Sequence, residues 1–155
     1  MKQEQALLSE ELFGLLNGTN IADKQHEAIM LQTVGADMWP HTAMISVGEL
    51  LALDRSNLRL GLWAGTRTAE NIIRTGKAAF ALCYKGKAHY VKLSLEQLAP
   101  LPGARFPGER FAATVTETRE DEAKYAAITS GVQIQLLDPG SVLERWAQTI
   151  RELKS

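Results

Sequence analysis

Thr66-Arg67-Thr68 and Asn71, directly after Ala64-Gly65, are the residues of this chain whose types and spacing could do chemistry. A small-residue turn that feeds a helix start aims several unpaired backbone N–H groups at one place, and here an arginine stands beside them. The helix dipole and those donors together attract a phosphate or another anion. The same residues also read as an ordinary N-cap followed by an exposed arginine. Other chemistry is sparse. His26 and His89 stand alone, with no second ligand at metal spacing, which predicts no metal site. His41 falls on the apolar side of a strand and reads as a hydrogen-bonded, partly buried histidine. No nucleophile elbow, paired acid or nucleotide-hydrolase glycine loop occurs.

Composition narrows the classes further. The 155 residues suit one domain with a real core, at 45% hydrophobic and 23% charged. A net charge of −1 without a basic cluster argues against nucleic acid as a partner. The single cysteine, Cys83, sits in the apolar run 78–84 and reads as a small buried hydrophobe in a reducing compartment. Met1 to Glu11 is polar and acidic, unlike a signal peptide, and no apolar run approaches the roughly 20 residues of a bilayer span. The expectation is a cytoplasmic protein without membrane contact.

The elements that must position Thr66 to Asn71 follow from periodicity. Leu7, Leu8, Leu12, Leu15 and Leu16 recur at helical spacing and predict an amphipathic helix over Glu4 to Leu16, ended by Asn17-Gly18. Ala28 to Val34 and Pro40 to Leu53 predict an antiparallel hairpin around Gly35-Ala36-Asp37. In its second strand His41, Ala43, Ile45 and Val47 share a bulky core face. Thr42, Met44, Ser46 and Gly48 share a smaller, mildly polar one, where Gly48 would let a flat ligand approach the backbone.

After a turn at Asp54 to Asn57, Leu58 to Trp63 is a third strand, and the helix from Thr66 carries Ile72 and Ile73 inward until Thr75-Gly76 stops it. Ala78 to Tyr84, apolar on both faces, suits a central strand. Beyond Lys85-Gly86-Lys87, Ala88 to Leu98 sets Val91, Leu93 and Leu95 against Tyr90, Lys92, Ser94 and Glu96. Ala99 to Gly108 is a loop, Phe111 to Thr116 a last strand, and helices follow at about Asp121 to Thr129 and at Ser141 to Leu153. About six short strands with an inserted helix and helices at both ends predict a small six-stranded antiparallel barrel. Its interior has no room for a ligand of more than a few atoms, so binding would fall outside it, where two subunits meet.

Three pieces of this chain resemble the flavin-binding split-barrel family related to pyridoxamine 5′-phosphate oxidase. They are Leu31 to His41, with its threonine, aspartate-bearing turn and proline-histidine; Ser46-Val47-Gly48-Glu49; and Thr66 to Ile72, similar to the family's phosphate-gripping serine–lysine–asparagine pattern. The resemblance runs from about Leu7 to Leu153. It implies a mainly β split barrel with flanking helices, and a homodimer holding flavin mononucleotide (FMN) in clefts between subunits. Cofactor contacts would come from Ile45, Ser46, Val47, Trp63, Thr66, Arg67, Thr68 and Asn71.

Thr66 would stand for the family's hydroxyl donor, Thr68 for its lysine and Asn71 for its asparagine. The uncharged Thr68, and Ala43 where vitamin-oxidising members carry an arginine, depart from the pattern, and Arg67 is the local replacement for the missing charge. The family's pyridoxal-phosphate substrate residues have no match near the C-terminus, which argues against oxidation of pyridoxamine phosphate. Trp63 would stack beside the flavin, or pack a core or dimer contact. Trp39, Tyr84 and Tyr90 would line a cleft or fill an interface. Because some split-barrel relatives bind haem, His89 is the residue that would ligate it. Three readings remain open at this stage: an FMN-dependent oxidoreductase acting on a small molecule, a dimer that stores, senses or sequesters flavin, haem or another ligand without turnover, or a dimer that has lost its cofactor altogether.

Overall fold

The computed structural model describes residues 5–105 and 108–155. Glu4, the first residue of the expected N-terminal helix, and Phe106 and Pro107 of the expected loop lie outside the described residues. The N-terminal helix, α1, spans Glu10–Leu16. It starts there because Ser9 caps it, its Oγ accepting from the Leu12 N–H, with Glu10 and Glu11 in the first turn. Leu8 upstream is extended instead: its N–H donates to the Arg55 carbonyl at 2.7 Å and its own carbonyl accepts from Arg55 Nε. A short helix α2 (Ile21–Lys24) follows.

The strands are β1 (Ile29–Val34), β2 (Pro40–Ile45), β3 (Leu50–Ala52), β4 (Asn57–Leu62), β5 (Lys77–Tyr84), β6 (Lys87–Leu98) and β7 (Glu109–Asp121), with α3 (Arg67–Thr75) between β4 and β5 and α4 (Pro139–Leu153) after β7. They form one antiparallel sheet in the order β2-β1-β5-β6-β7-β4-β3, curled as a half-barrel. The predicted mainly β, split-barrel class stands, but the strand count is seven, not six. The extra strand arises where the expected Pro40 to Leu53 strand breaks. Ser46 donates its N–H and its hydroxyl to one Glu49 carboxylate oxygen, at 3.2 and 2.8 Å, and Glu49 N–H returns to the Ser46 carbonyl. A turn satisfied this way sends β3 off to pair with β4, while β2 stays on β1.

β7 pairs with β6 in register from Leu98↔Arg110 to Ala88↔Asp121, across an irregularity at Lys92/Leu93. The expected helix at Asp121 to Thr129 is absent: Asp121 still belongs to β7, and the residues after it form no helix. The chain then runs without helix to Asp138 and is pinned beside β1, with Ala28 N–H on the Val132 carbonyl and Ile134 N–H on the His26 carbonyl. The alternation in β6 is as expected, with Val91, Leu93 and Leu95 buried and Tyr90, Lys92, Ser94 and Glu96 outside. β5 lies centrally between β1 and β6. Phe80, Phe111, Leu31, Leu58, Leu60 and most of the remaining apolar strand residues form one core that also takes Leu12, Leu15 and Leu16 of α1 and Trp146 of α4. Among the described residues no helix is long and apolar enough to cross a membrane.

Candidate functional site

Thr66 caps α3 with its backbone extended (φ −79°, ψ 154°) and its Oγ1 accepting from the Ala69 N–H at 3.1 Å. The connection leading into it turns at Gly65 with φ +77°, a conformation that glycine adopts at little cost. At the far end Gly76, also left-handed, closes the helix with its N–H on the Ile72 carbonyl. The amides of Arg67 and Thr68 donate to no acceptor among the described residues, and the exposed Arg67 guanidinium makes no hydrogen bond or ion pair there. Two free amides, a helix start and an unengaged guanidinium are thus grouped as the sequence predicts.

The other motif residues are spent inside the fold. Thr68 is buried and shares a hydrogen bond of 3.2 Å with His41 Nε2 of β2. His41, half-buried and hydrogen-bonded, behaves as its strand position suggested. Asn71 is buried as a clamp, donating to Thr33 Oγ1 of β1 at 3.0 Å and accepting from Arg74, whose guanidinium also donates to the Val34 carbonyl. Ile72 packs into the core, but Ile73 is 50% exposed, because α3 turns only its 68, 69, 71 and 72 side to the barrel.

Ile45, Ser46 and Val47 are buried as well, so their side chains face core and turn while only their backbone is left for a cofactor. Gly48 does approach a flat group closely, though it is the protein's own. A Cβ there would lie 2.1 Å from Cγ of the Trp146 indole. Trp63, 52% exposed, stands between two sites: three residues before Thr66, and on the wall of a cleft of about 430 Å³. That cleft opens between α4, the ends of β4 and β7 and the loop at 100–105, and it holds Glu49 and Arg145. Sequence reasoning missed it, since its residues come from distant segments with no shared spacing.

Burial raises the Glu49 carboxyl above the usual carboxylate range, against the opposing effects of its Ser46 hydrogen bonds and of the Arg145 charge. Trp39 sits at the β1–β2 hairpin tip, Tyr84 at the end of β5 and Tyr90 on β6 under the Arg119 guanidinium, so the structure does not gather the three aromatics into one cleft. His89 is 1% exposed with Nε2 on the Tyr84 carbonyl, which leaves it poorly presented for haem. His26 shares a hydrogen bond with the Ile134 carbonyl. Among the described residues no three His, Cys, Asp or Glu side chains converge as a metal site.

Comparison with known proteins places this geometry. The chain is 51% identical over 147 residues to YclD of Bacillus subtilis (strain 168), a protein itself described as uncharacterized, covering 95% of this chain and 96% of that one. Its fold matches a Lactobacillus delbrueckii protein provisionally called a pyridoxamine 5′-phosphate oxidase, with a TM-score of 0.58 at 24% identity over 77% of this chain and 99% of that one. The chain has the pyridoxamine 5′-phosphate oxidase-like split-barrel fold. HupZ of Group A Streptococcus has the same split-barrel fold, with a TM-score of 0.56 at 15% identity over 83% of this chain and 100% of that one. No family model matches the sequence. In split-barrel terms, the α3 start and the β2–β3 turn are the positions at which the motifs of Thr66 to Ile72 and Ser46 to Glu49 fall.

Proposed function

We propose that this split-barrel protein binds FMN as a homodimer and works as a flavin-dependent oxidoreductase on a small molecule. The observation that carries the proposal is the free pair of Arg67 and Thr68 amides at the α3 start, beside the unengaged Arg67 guanidinium. That donor set suits a phosphate: the amides and helix dipole favour an anion, and a guanidinium forms paired charge-assisted bonds to its oxygens. Arg67 would hold the phosphate, with Thr66 and Thr68 shaping the helix end, and Trp63 would border the ring system. FMN, when bound, supplies the electron-transfer chemistry, which is why no catalytic side chain has to stand out.

The dimer is supported by an apolar surface left exposed among the described residues. Val34, Pro40 and Met44 share the outer face of the β1–β2 hairpin by their register, β2 is a sheet edge, and Met38 and Trp39 are largely exposed at the tip. The free, half-buried Cys83 is compatible with a reducing compartment, the cytoplasm. A second reading, flavin binding without turnover, is favoured by one observation: Thr68 brings no charge and is turned inward to His41.

Titration with FMN should quench tryptophan fluorescence and raise the melting temperature by mass action. Arg67→Ala should weaken FMN about tenfold and leave riboflavin unchanged, because only FMN carries the phosphate. Equal losses for both ligands, or no thermal shift at millimolar FMN, would remove the flavin reading. Light scattering should give twice the chain mass. Oxidation of a nicotinamide donor by the FMN-loaded protein separates the enzyme from the binding module.

A further inference from the structure

The cleft beside α4 has the size of a small-molecule site, about 430 Å³ against roughly 300–1,000 Å³ for such pockets in general. Leu62, Leu153 and the Trp63 indole give it an apolar wall. Three arginines line it, and two are engaged. Arg110 donates to the Ala99, Glu152 and Ser155 carbonyls, and Arg105 donates its guanidinium to Glu144 and its backbone N–H to Glu152. Arg145 donates no hydrogen bond among the described residues; its guanidinium lies over the Trp63 ring, 5.9 Å from the centroid. Across from it stands Glu49, with Oε1 taken twice by Ser46 and Oε2 accepting nothing.

We propose that this cleft binds a small, flat monocarboxylate, its carboxylate on Arg145 and Glu49 Oε2 and its apolar body along Trp63 and Leu62. A cationic ligand is disfavoured because Arg145 already occupies the indole face that a cation would use. A dianion is disfavoured because Glu49 adds negative charge at the same point.

Burial already raises the Glu49 carboxyl, and a monocarboxylate arriving on Arg145 cancels one of the influences that oppose it, so Glu49 takes up a proton more readily and its Oε2–H donates to the ligand oxygen. The other charged groups facing the cleft are Glu152 on α4, Glu109 and Arg110 on β7 and Arg105 in the loop. Of these cleft charges, Arg145 is the one whose field acts on Glu49. Since binding takes up this proton, affinity falls as pH rises through the Glu49 titration. The inference uses none of the α3 donors and shares only Trp63 with the flavin reading, so the two are tested by different ligands.

The test is calorimetric titration of the full-length protein with 1-naphthoate, 1-naphthamide and 1-naphthylmethylammonium as probes of equal ring and different charge. Naphthoate should bind about tenfold tighter than either comparator, tighten from about pH 7.5 to about pH 5.5, and show net proton uptake when buffers of different ionisation heat are compared. Arg145→Gln should abolish the preference for naphthoate while the amide binds as before, and Glu49→Gln should remove the pH dependence. If the variants fail to fold, the probe series and proton uptake of the unaltered protein still decide. No binding of naphthoate at millimolar concentration, equal binding of the three probes, tighter binding of the cation, or no proton uptake would overturn the proposal. A failure of FMN to bind would leave it intact.

Discussion

Gly48→Ala should destabilise the protein by about 3 kcal/mol, at the upper end of the usual range for forcing an extra methyl into a packed interior. The added carbon would sit 2.1, 2.4 and 2.5 Å from Cγ, Cδ1 and Cδ2 of Trp146, so it meets the indole head-on. Trp146 is buried in the main core and cannot swing away without opening a void. At roughly 2–4 °C per kcal/mol for a domain of this size, the melting temperature should fall by about 6–12 °C. The double variant Gly48→Ala/Trp146→Leu should lose less than the sum of the single losses, because shortening the indole removes the clash as well as its own packing. Additive losses in thermal or denaturant unfolding would show that Gly48 is needed for something other than room for Trp146. The result bears on function, since the same contact fixes the α4 face that carries Arg145 and Trp146 to the cleft.

What the sequence discloses here, and what it hides, follows from the range of the forces involved. The α3 start was legible because Thr66 makes its decisive bond three residues away, at Ala69, and Gly76 closes the helix just as locally. The wet and dry faces of β6 were legible because a strand on the rim of a core sorts its side chains with a period of two. The break at Ser46 was not, because Ser46 to Glu49 keeps an apolar-and-small pattern that continues a strand equally well. Only the hydrogen bonds from Ser46 to a half-buried Glu49 turn the chain.

The region after Glu120 misled for the opposite reason. Its alanines and charges favour helix on their own, but Asp121 is held in β7 by β6 and the chain beyond it is tied back beside β1, with Ala28 N–H on the Val132 carbonyl and Ile134 N–H on the His26 carbonyl, partners distant in sequence. The family motif falls on the start of α3, yet the contacts of Thr68 and Asn71 depend on β1 and β2 lying beneath it. Thr33 and His41 are distant in sequence, and they take the polar groups that the motif alone assigned to a ligand. Glu49, Trp63 and Arg145 meet only through the packing of α4, so no window of sequence contains that cleft.

Phe111→Ala should cost about 3–5 kcal/mol, as expected for removing a phenyl ring from a site that cannot collapse. Phe111 is fully buried on β7, paired in register with Leu60 on one side and Gln97 on the other, so hydrogen-bonded strands hold the walls of the void apart. Against a total stability of about 5–15 kcal/mol for a typical domain, this brings the variant close to unfolding at physiological temperature. Tyr125→Ala is the control: that ring is 94% exposed and its loss should stay within about 0.5 kcal/mol. Phe111→Leu should recover most of the loss, since it refills much of the volume without a polar atom. Denaturant midpoints for the three variants check the order. A Phe111→Ala cost near that of the control would mean that the sheet closes over the gap, and that the half-barrel is softer than its register of paired strands implies. Such softness would reach the cleft directly, because Arg110, next along β7, anchors the C-terminal end of α4 through the Glu152 and Ser155 carbonyls, and a loosened β7 would release it.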